Sequence, residues 1–371
     1  MKNSIGTSVV LTLAGESHGP GIVAILDGMA PGIHVDESFI ADQLARRRPC
    51  GATETARREP DDFSILSGVN EGFTTGAPIA IFIPNTDVRS ADYAALEHLV
   101  RPSHADYPAR IKYKGFEDQR GGGHFSGRIT AGIVAAGAIA ISALKAKDIR
   151  IGTHILSCAG VEDEPFGPEP AAQIDRLDGS DFPVLGNVAD AMTERILAAR
   201  ADGDSVGGVI QTAIDGLPAG VGEPWFGSVE GVIANAMLSI GGIKGIEFGS
   251  GFALAGMRGS QANDPWEMPG DGNPRTITNH NGGVNGGISN GMPVVFNCVV
   301  KPTPSISIPQ HTIDLRTGRN TTLQINGRHD PAIVRRVCIV ATSITAIAVC
   351  DLLALHFGTD YINQHDFWLD R

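Results

Sequence analysis

Cysteine is scarce in this chain: five residues, at 50, 158, 298, 338 and 350, with no CxxC pair and no even set to couple. No signal-peptide pattern opens the sequence, so the thiols are expected to be reduced and the compartment to be the cytoplasm. Positive charge is short as well, 29 Lys and Arg against 41 Asp and Glu, a formal net charge of −12. A general binder of nucleic acid or of a membrane surface needs the opposite excess, so neither partner is expected and any basic site has to be local. The histidines follow no H-E-x-x-H spacing and no Cys/His cluster, which argues against a metal. Two apolar runs, residues 129–144 and 337–355, raise the question of membrane spans. The first is shorter than the roughly 20 residues a bilayer needs and rich in Gly and Ala; the second carries Thr342, Ser343, Thr345 and Asp351. Both read as buried helices whose small residues allow close packing.

Glycine is abundant, 47 of 371 residues, beside 42% hydrophobic and 19% charged residues. This is a globular composition with a large core, and strand-like and helix-like stretches alternate without an internal repeat. Strands are expected at residues 9–13, 22–26, 63–69, 79–83, 206–214 and 292–300, each rich in branched residues and closed by Gly, Pro or Asp. Helices are expected at 37–48, 188–201 and 229–238, the last capped by Ser228. For the last long helix, Asp330 reads as N-cap, Pro331 as first helical residue and Gly358 as terminator. Segments 162–190 and 257–285 read as loop excursions, the first alternatively as a linker. Patterning alone gives mixed α/β.

The most telling stretch is Gly121-Gly122-Gly123-His124-Phe125-Ser126-Gly127-Arg128, leading into an apolar helix. Glycines let backbone N–H groups crowd round an anion, and a helix start adds unpaired donors. It is not a P-loop, because Arg128-Ile129 stands where Lys-Ser/Thr is required, and it is not a dinucleotide fingerprint, because Ser126 replaces the third glycine. A glycine-rich turn capping a helix explains the segment equally well. Gly15-Glu16-Ser17-His18-Gly19 matches the nucleophile elbow G-x-S-x-G, which makes Ser17 a candidate acyl-transfer nucleophile and the chain a candidate serine hydrolase. Against this, position 17 comes too early for that fold; His18, a loop imidazole able to exchange a proton, is the alternative actor. Three arginine groups, Arg46-Arg47-Arg48, Arg57-Arg58 and Arg101, accompany a second loop histidine, His104, which Asp106 could orient. In an acidic chain, these groups beside an anion loop point to a multiply anionic ligand, whether the protein turns it over or is a non-catalytic anion-binding module.

Several long motifs in one order resemble the chorismate synthase family: Gly15-Glu16-Ser17-His18-Gly19, Arg46-Arg47-Arg48-Pro49, Arg101-Pro102-Ser103-His104-Ala105-Asp106-Tyr107, the triple-glycine loop, Asn279 through Ser289, Lys301-Pro302-Thr303 and Gly327-Arg328-His329-Asp330-Pro331. The resemblance runs from about residue 6 to 355. It implies a lyase that takes 5-enolpyruvylshikimate 3-phosphate to chorismate and phosphate, with reduced FMN and no net redox change. It also implies a single large domain over residues 1–371, a β-α-α-β sandwich of antiparallel sheets around central helices, assembled as a homotetramer. By similarity, His18 protonates the departing phosphate, His104 stabilises the reduced flavin's charge and Asp330 assists proton removal through the flavin N5. Arg47, Arg101 and Arg128 clamp substrate anions with Ser17 as a polar wall. The flavin pattern maps onto His124, Phe125, Ser126, Gly241, Gly242, Gly286, Lys301, Pro302, Thr303, Pro304, Ser305 and Arg328. NADPH is a possible reductant, with Arg47 as its contact. Two departures stand out: His124-Phe125 where the family often has Arg-Ser, and Thr53-Glu54 in the loop 49–56, where an arginine is often found.

Overall fold

A computed structural model describes residues 2–51, 53–54, 60–86, 98–270, 272–325 and 330–363. Two antiparallel five-stranded sheets enclose two long helices. The first sheet is built from β1 (Ser4–Ile5), β2 (Val10–Gly15), β3 (Gly21–Asp27), β4 (Ser64–Ser67) and β5 (Ile79–Pro84), in the order β1-β2-β3-β5-β4. The second has β6 (Arg150–Cys158), β7 (Val161–Glu162), β8 (Gly208–Asp215), β9 (Ile243–Phe248) and β10 (Val294–Val300), in the order β9-β10-β8-β6-β7. Strand alternation sets the inner faces: Ile79, Ile81 and Ile83 point inward from β5, and Val294, Phe296, Cys298 and Val300 from β10.

Helix α1 spans Glu37–Arg47, α2 Asp106–Tyr113, α3 Thr130–Lys145, α4 Ala171–Leu177, α5 Ala189–Ala201, α6 Val229–Leu238 and α7 Val334–Phe357. Helix α3 lies on the first sheet, α7 on the second, and the two pack along each other, so the layers run sheet, helix, helix, sheet. This is the expected β-α-α-β sandwich. The small residues explain the close approach: a Cβ on Gly137 would fall 2.4 Å from Ser343 Cβ on α7, so only glycine fits there. The segment Gly127–Lys145 and helix α7 are long and apolar enough to cross a membrane, yet the most apolar stretch of α7 is wholly buried in the protein's own core, and that of the first segment largely so. Asp351 on α7 accepts the backbone N–H groups of Thr7, Ser8 and Val9, fastening the β1–β2 connection to the core.

The expected strands and helices appear with shifts of a few residues, Ser228 caps α6, and Gly358 ends α7 with φ +88. Asp330 is not a helix cap. Helix α7 begins at Val334 with no side-chain cap, and Asp330 is drawn instead to Arg336. Segment 162–190 is not a linker: with α4 and Phe166 it covers the outer face of the second sheet. There Asp163 accepts from Leu185 and Gly186 N–H and lies 3.3 Å from His154 Nδ1. Segment 257–285 contains a short hairpin, Trp266–Glu267 with Arg275–Thr276, and Asp264 gathers Thr278, His280 and Asn281. All five cysteines are free; burial pushes the Cys158 thiol up to about 11 and those of Cys298 and Cys338 to about 12.

Candidate active site

Strand β2 ends at Gly15, and the chain turns through Glu16, Ser17 and His18 before returning as β3. Ser17 is fully buried and His18 is 9% exposed. The triple-glycine loop lies against this turn. Gly121, Gly122 and Gly123 have φ +61, +85 and +53, and a Cβ on Gly121 would sit 2.6 Å from His18 Cε1 and 2.7 Å from Ser17 Oγ. Ser17 N–H donates to Gly123 O at 3.0 Å, and His124 Nδ1 is 2.8 Å from Gly15 O. The glycines therefore serve close approach and left-handed backbone. Part of the backbone is already engaged: Gly122 N–H bonds Gln119 O, and the N–H groups of Ser126, Arg128 and Ile129 bond acceptors within the loop. Ser126 Oγ accepts from Arg128 N–H, and Phe125 is half exposed, edge-on to Tyr113.

Arg47 and Arg128 meet on one buried carboxylate, Asp61. Arg47 Nη2 is 3.4 Å from Asp61 Oδ2, and Arg128 Nη1 contacts Asp61 Oδ1. Arg128 is held further by Pro84 O at 3.0 Å and by Asn85 Oδ1 at 2.9 Å, while Asn85 Nδ2 donates to Glu16 O and Gly19 O. Arg57 and Arg58 lie outside the described residues, as do Arg328 and His329.

Asp106 does not orient His104. It forms a bidentate pair with Arg101, at 2.8 and 2.7 Å, and also accepts Arg101 N–H, because the fork of a guanidinium matches a carboxylate better than an imidazole does. His104 Nε2 lies 2.8 Å from Ser305 Oγ instead, and Lys301 Nζ donates to Ser103 O, so loops 101–106 and 301–305 are docked together. Burial, and then the charge of Arg101, lowers the His104 pKa to about 4. Burial also holds the Lys301 ammonium below its usual range, with help from Lys244. Lys301 N–H bonds Gly242 O beside the exposed Gly241, and Gly286 occupies an exposed turn whose neighbour Gly287 accepts the first N–H of α6. Thr303 Oγ1 and Ser17 Oγ are buried hydroxyls without a hydrogen-bond partner among the described residues.

Asp330 pairs with Arg336 Nη2 at 2.5 Å. Behind them Glu54 is buried, accepting Arg335 Nε and Nη2 and lying 3.6 Å from Arg336 Nε, while Arg335 also donates to Arg46 O and Arg48 O. Thr53-Glu54, the departure in loop 49–56, thus supplies the counter-charge that fastens α7 to the end of α1. Val206 N–H bonds Pro331 O and Ser205 Oγ bonds Thr303 O, which joins the Asp330 segment to the 301–305 loop. One polar path therefore runs from the His18 turn through Arg128, Asp61, Arg47, the end of α1, Arg335, Glu54, Arg336 and Asp330 to Thr303 and His104.

A family model described as "Chorismate synthase" matches residues 9–354. The chain belongs to the chorismate synthase family. Similar relatives named "Chorismate synthase" include those of Pyrococcus abyssi, 42% identical with 94% of this chain and 96% of the relative covered, and Methanocella arvoryzae, 43% identical with 94% and 93% covered. That of Nitratidesulfovibrio vulgaris is 43% identical, with 95% and 98% covered. A crystal structure titled "Crystal Structure of Chorismate Synthase" has a TM-score of 0.76 at 30% identity, covering 96% of this chain and 94% of that one. Chorismate synthases are carbon–oxygen lyases, and a serine hydrolase finds no support: the buried Ser17 hydroxyl lacks the hydrogen-bonded base a nucleophile needs. Asp61, Asn85, Arg335 and Arg336 are the members of this site that motif reading passes over, and Glu54 enters it only as a departure from the family pattern. The Arg335-Arg336 pair just after Asp330-Pro331 was the available signal; Asp61 and Asn85 offer none locally.

Proposed function

We propose that this chain converts 5-enolpyruvylshikimate 3-phosphate to chorismate and phosphate by anti-1,4-elimination, with reduced FMN bound and no net redox change. The observation that carries the reading is the polar path. It strings the segments of His18, Arg128, Arg47, Asp330 and His104 together in a chain whose family match covers residues 9–354.

The buried arginines suit a substrate with one phosphate and two carboxylates, since charge-assisted bonds strengthen away from water. His18, beside Ser17 and under Gly121, donates a proton to the departing phosphate. Arg128 and Arg47 offset the charge that grows there, and Arg101, set by Asp106, binds a carboxylate. Asp330, held by Arg336, assists removal of the ring proton. The fit to a flavin rests on the orphaned Thr303 hydroxyl, the half-exposed Phe125 ring and the neutral His104 imidazole. Reduced FMN, when bound, would supply the electron density that eases C–O cleavage with no net redox change. His124, Ser126, Gly241, Gly242, Gly286 and the 301–305 loop would line it, and His104 would take a proton that balances an anionic guest. Arg47 is turned toward Asp61 and is assigned to substrate, not to NADPH; reductant then comes from outside the chain. The cytoplasm, where reduced flavin is available, is the compartment of this reading. Exposed Trp225, Phe226 and Phe252 offer apolar surface for a homotetramer.

Chorismate formation by the full chain with His18→Ala tests the assignment. Loss of a general acid is worth about 10²–10⁴-fold in kcat; a variant with wild-type turnover removes His18 from the chemistry.

A further inference from the structure

Asn85, directly after β5, makes contacts in two directions. Its Nδ2 donates to Glu16 O and to Gly19 O, both at 2.9 Å, and so spans the turn that holds Ser17 and His18. Its Oδ1 accepts Arg128 Nε at 2.9 Å, and its backbone N–H bonds Pro20 O at 3.1 Å. The amide has one workable orientation: turned over, it would set its oxygen against two carbonyls and its NH₂ against a guanidinium. Arg128 is fixed on its other sides by Asp61 and Pro84 O, and Asn85 ties this fixed cation directly to the His18 turn. Arg47 Nη2 lies 3.4 Å from the same Asp61.

We propose that Asn85 is a positioning residue for phosphate departure: it fixes the spacing between His18, which gives the proton, and Arg128, which offsets the charge. The inference rests on the function proposed above. Asn85 touches no reacting atom and acts only through these two residues. Displacement of a catalytic group by about 1 Å can cost about 10²-fold in rate. Without Asn85, the Glu16 and Gly19 carbonyls lose their shared donor, and Arg128 Nε loses its acceptor.

A double-mutant cycle tests it, with phosphate release driven by dithionite-reduced FMN and turnover normalised to flavin-binding sites. Asn85→Ala is expected to lower kcat by about 10- to 100-fold when His18 is present. In the His18→Ala background it should lower kcat by no more than about twofold, because the spacing it sets between proton donor and cation no longer matters once the donor is gone. Equal losses in both backgrounds, or no loss in either, would overturn the proposal, since a merely structural residue gives additive effects. If Asn85→Ala does not fold, Asn85→Ser, which also lacks the two-sided amide, is read the same way. Should the wild type release no phosphate, the functional reading fails separately. Asn85 is then judged by the rise in melting temperature that inorganic phosphate gives: its loss in Asn85→Ala supports the mount, its retention overturns it.

Discussion

His104 shows how a single residue's surroundings select its chemistry. Burial and the Arg101 charge bring its pKa from 6.5 to about 4, so it is neutral at pH 7 beside Ser305. The folded chain therefore prefers the neutral imidazole, and this contribution to stability is complete above the unfolded pKa of 6.5 and is lost as pH falls through the folded value near 4. The melting temperature is expected to fall between pH 7 and 4.5, and to fall less in His104→Asn. An anion bound alongside pulls the pKa back up. Binding of reduced FMN at pH 7 should take up a proton in the wild type and not in His104→Ala, measured by anaerobic calorimetry in buffers of different ionisation enthalpy. Equal uptake in both would remove His104 from the flavin's charge balance. Ser17, His18, Arg47, Arg101, His104 and Arg128 stand out as candidates in the sequence because each lies in a short motif. Asp61 and Asn85 do not, because their partners lie 14 to 69 positions away and only the folded sheets bring them together.

The elements are held by features that sequence periodicity shows only in part. Helices α3 and α7 announce themselves as apolar runs, yet which residue allows their contact is visible only in three dimensions. Gly137→Ala places a methyl against Ser343, an overpacking expected to cost about 1–3 kcal/mol in chemical denaturation. Asp351→Ala leaves the N–H groups of Thr7, Ser8 and Val9 without their acceptor and is expected to cost about 3 kcal/mol, with Asp351→Asn intermediate. A melting temperature unchanged in Asp351→Ala would mean that the β1–β2 connection does not depend on α7. Strand β6 escaped sequence reading because burial on both faces, from Ile151 to Ile155, erases alternation, and α2 because its charged surface and Pro108 disguise a helical period. The N-terminus of α7 misled for a different reason: Asp330 has the chemistry of a cap, but Arg336 on the first turn binds it more strongly as an ion pair.

At the scale of the whole molecule, an acidic chain concentrates its cations inward. Arg47, Arg128 and Arg335 are buried, each against a carboxylate, so a net charge of −12 coexists with a site for anions. The sandwich explains how segments from residue 16 to 330 converge: the first sheet presents the His18 turn and Asn85, and the second, through loops at the ends of its strands, presents Thr303 and the approach to Asp330. The family order of motifs foretold this architecture, whereas composition and periodicity foretold only mixed α/β. The central claim is tested most directly by anaerobic phosphate release from 5-enolpyruvylshikimate 3-phosphate by the purified full chain. With dithionite-reduced FMN the account predicts catalytic release matched by chorismate, and none with oxidised FMN. No release under either condition, or equal release without reduced flavin, would contradict it.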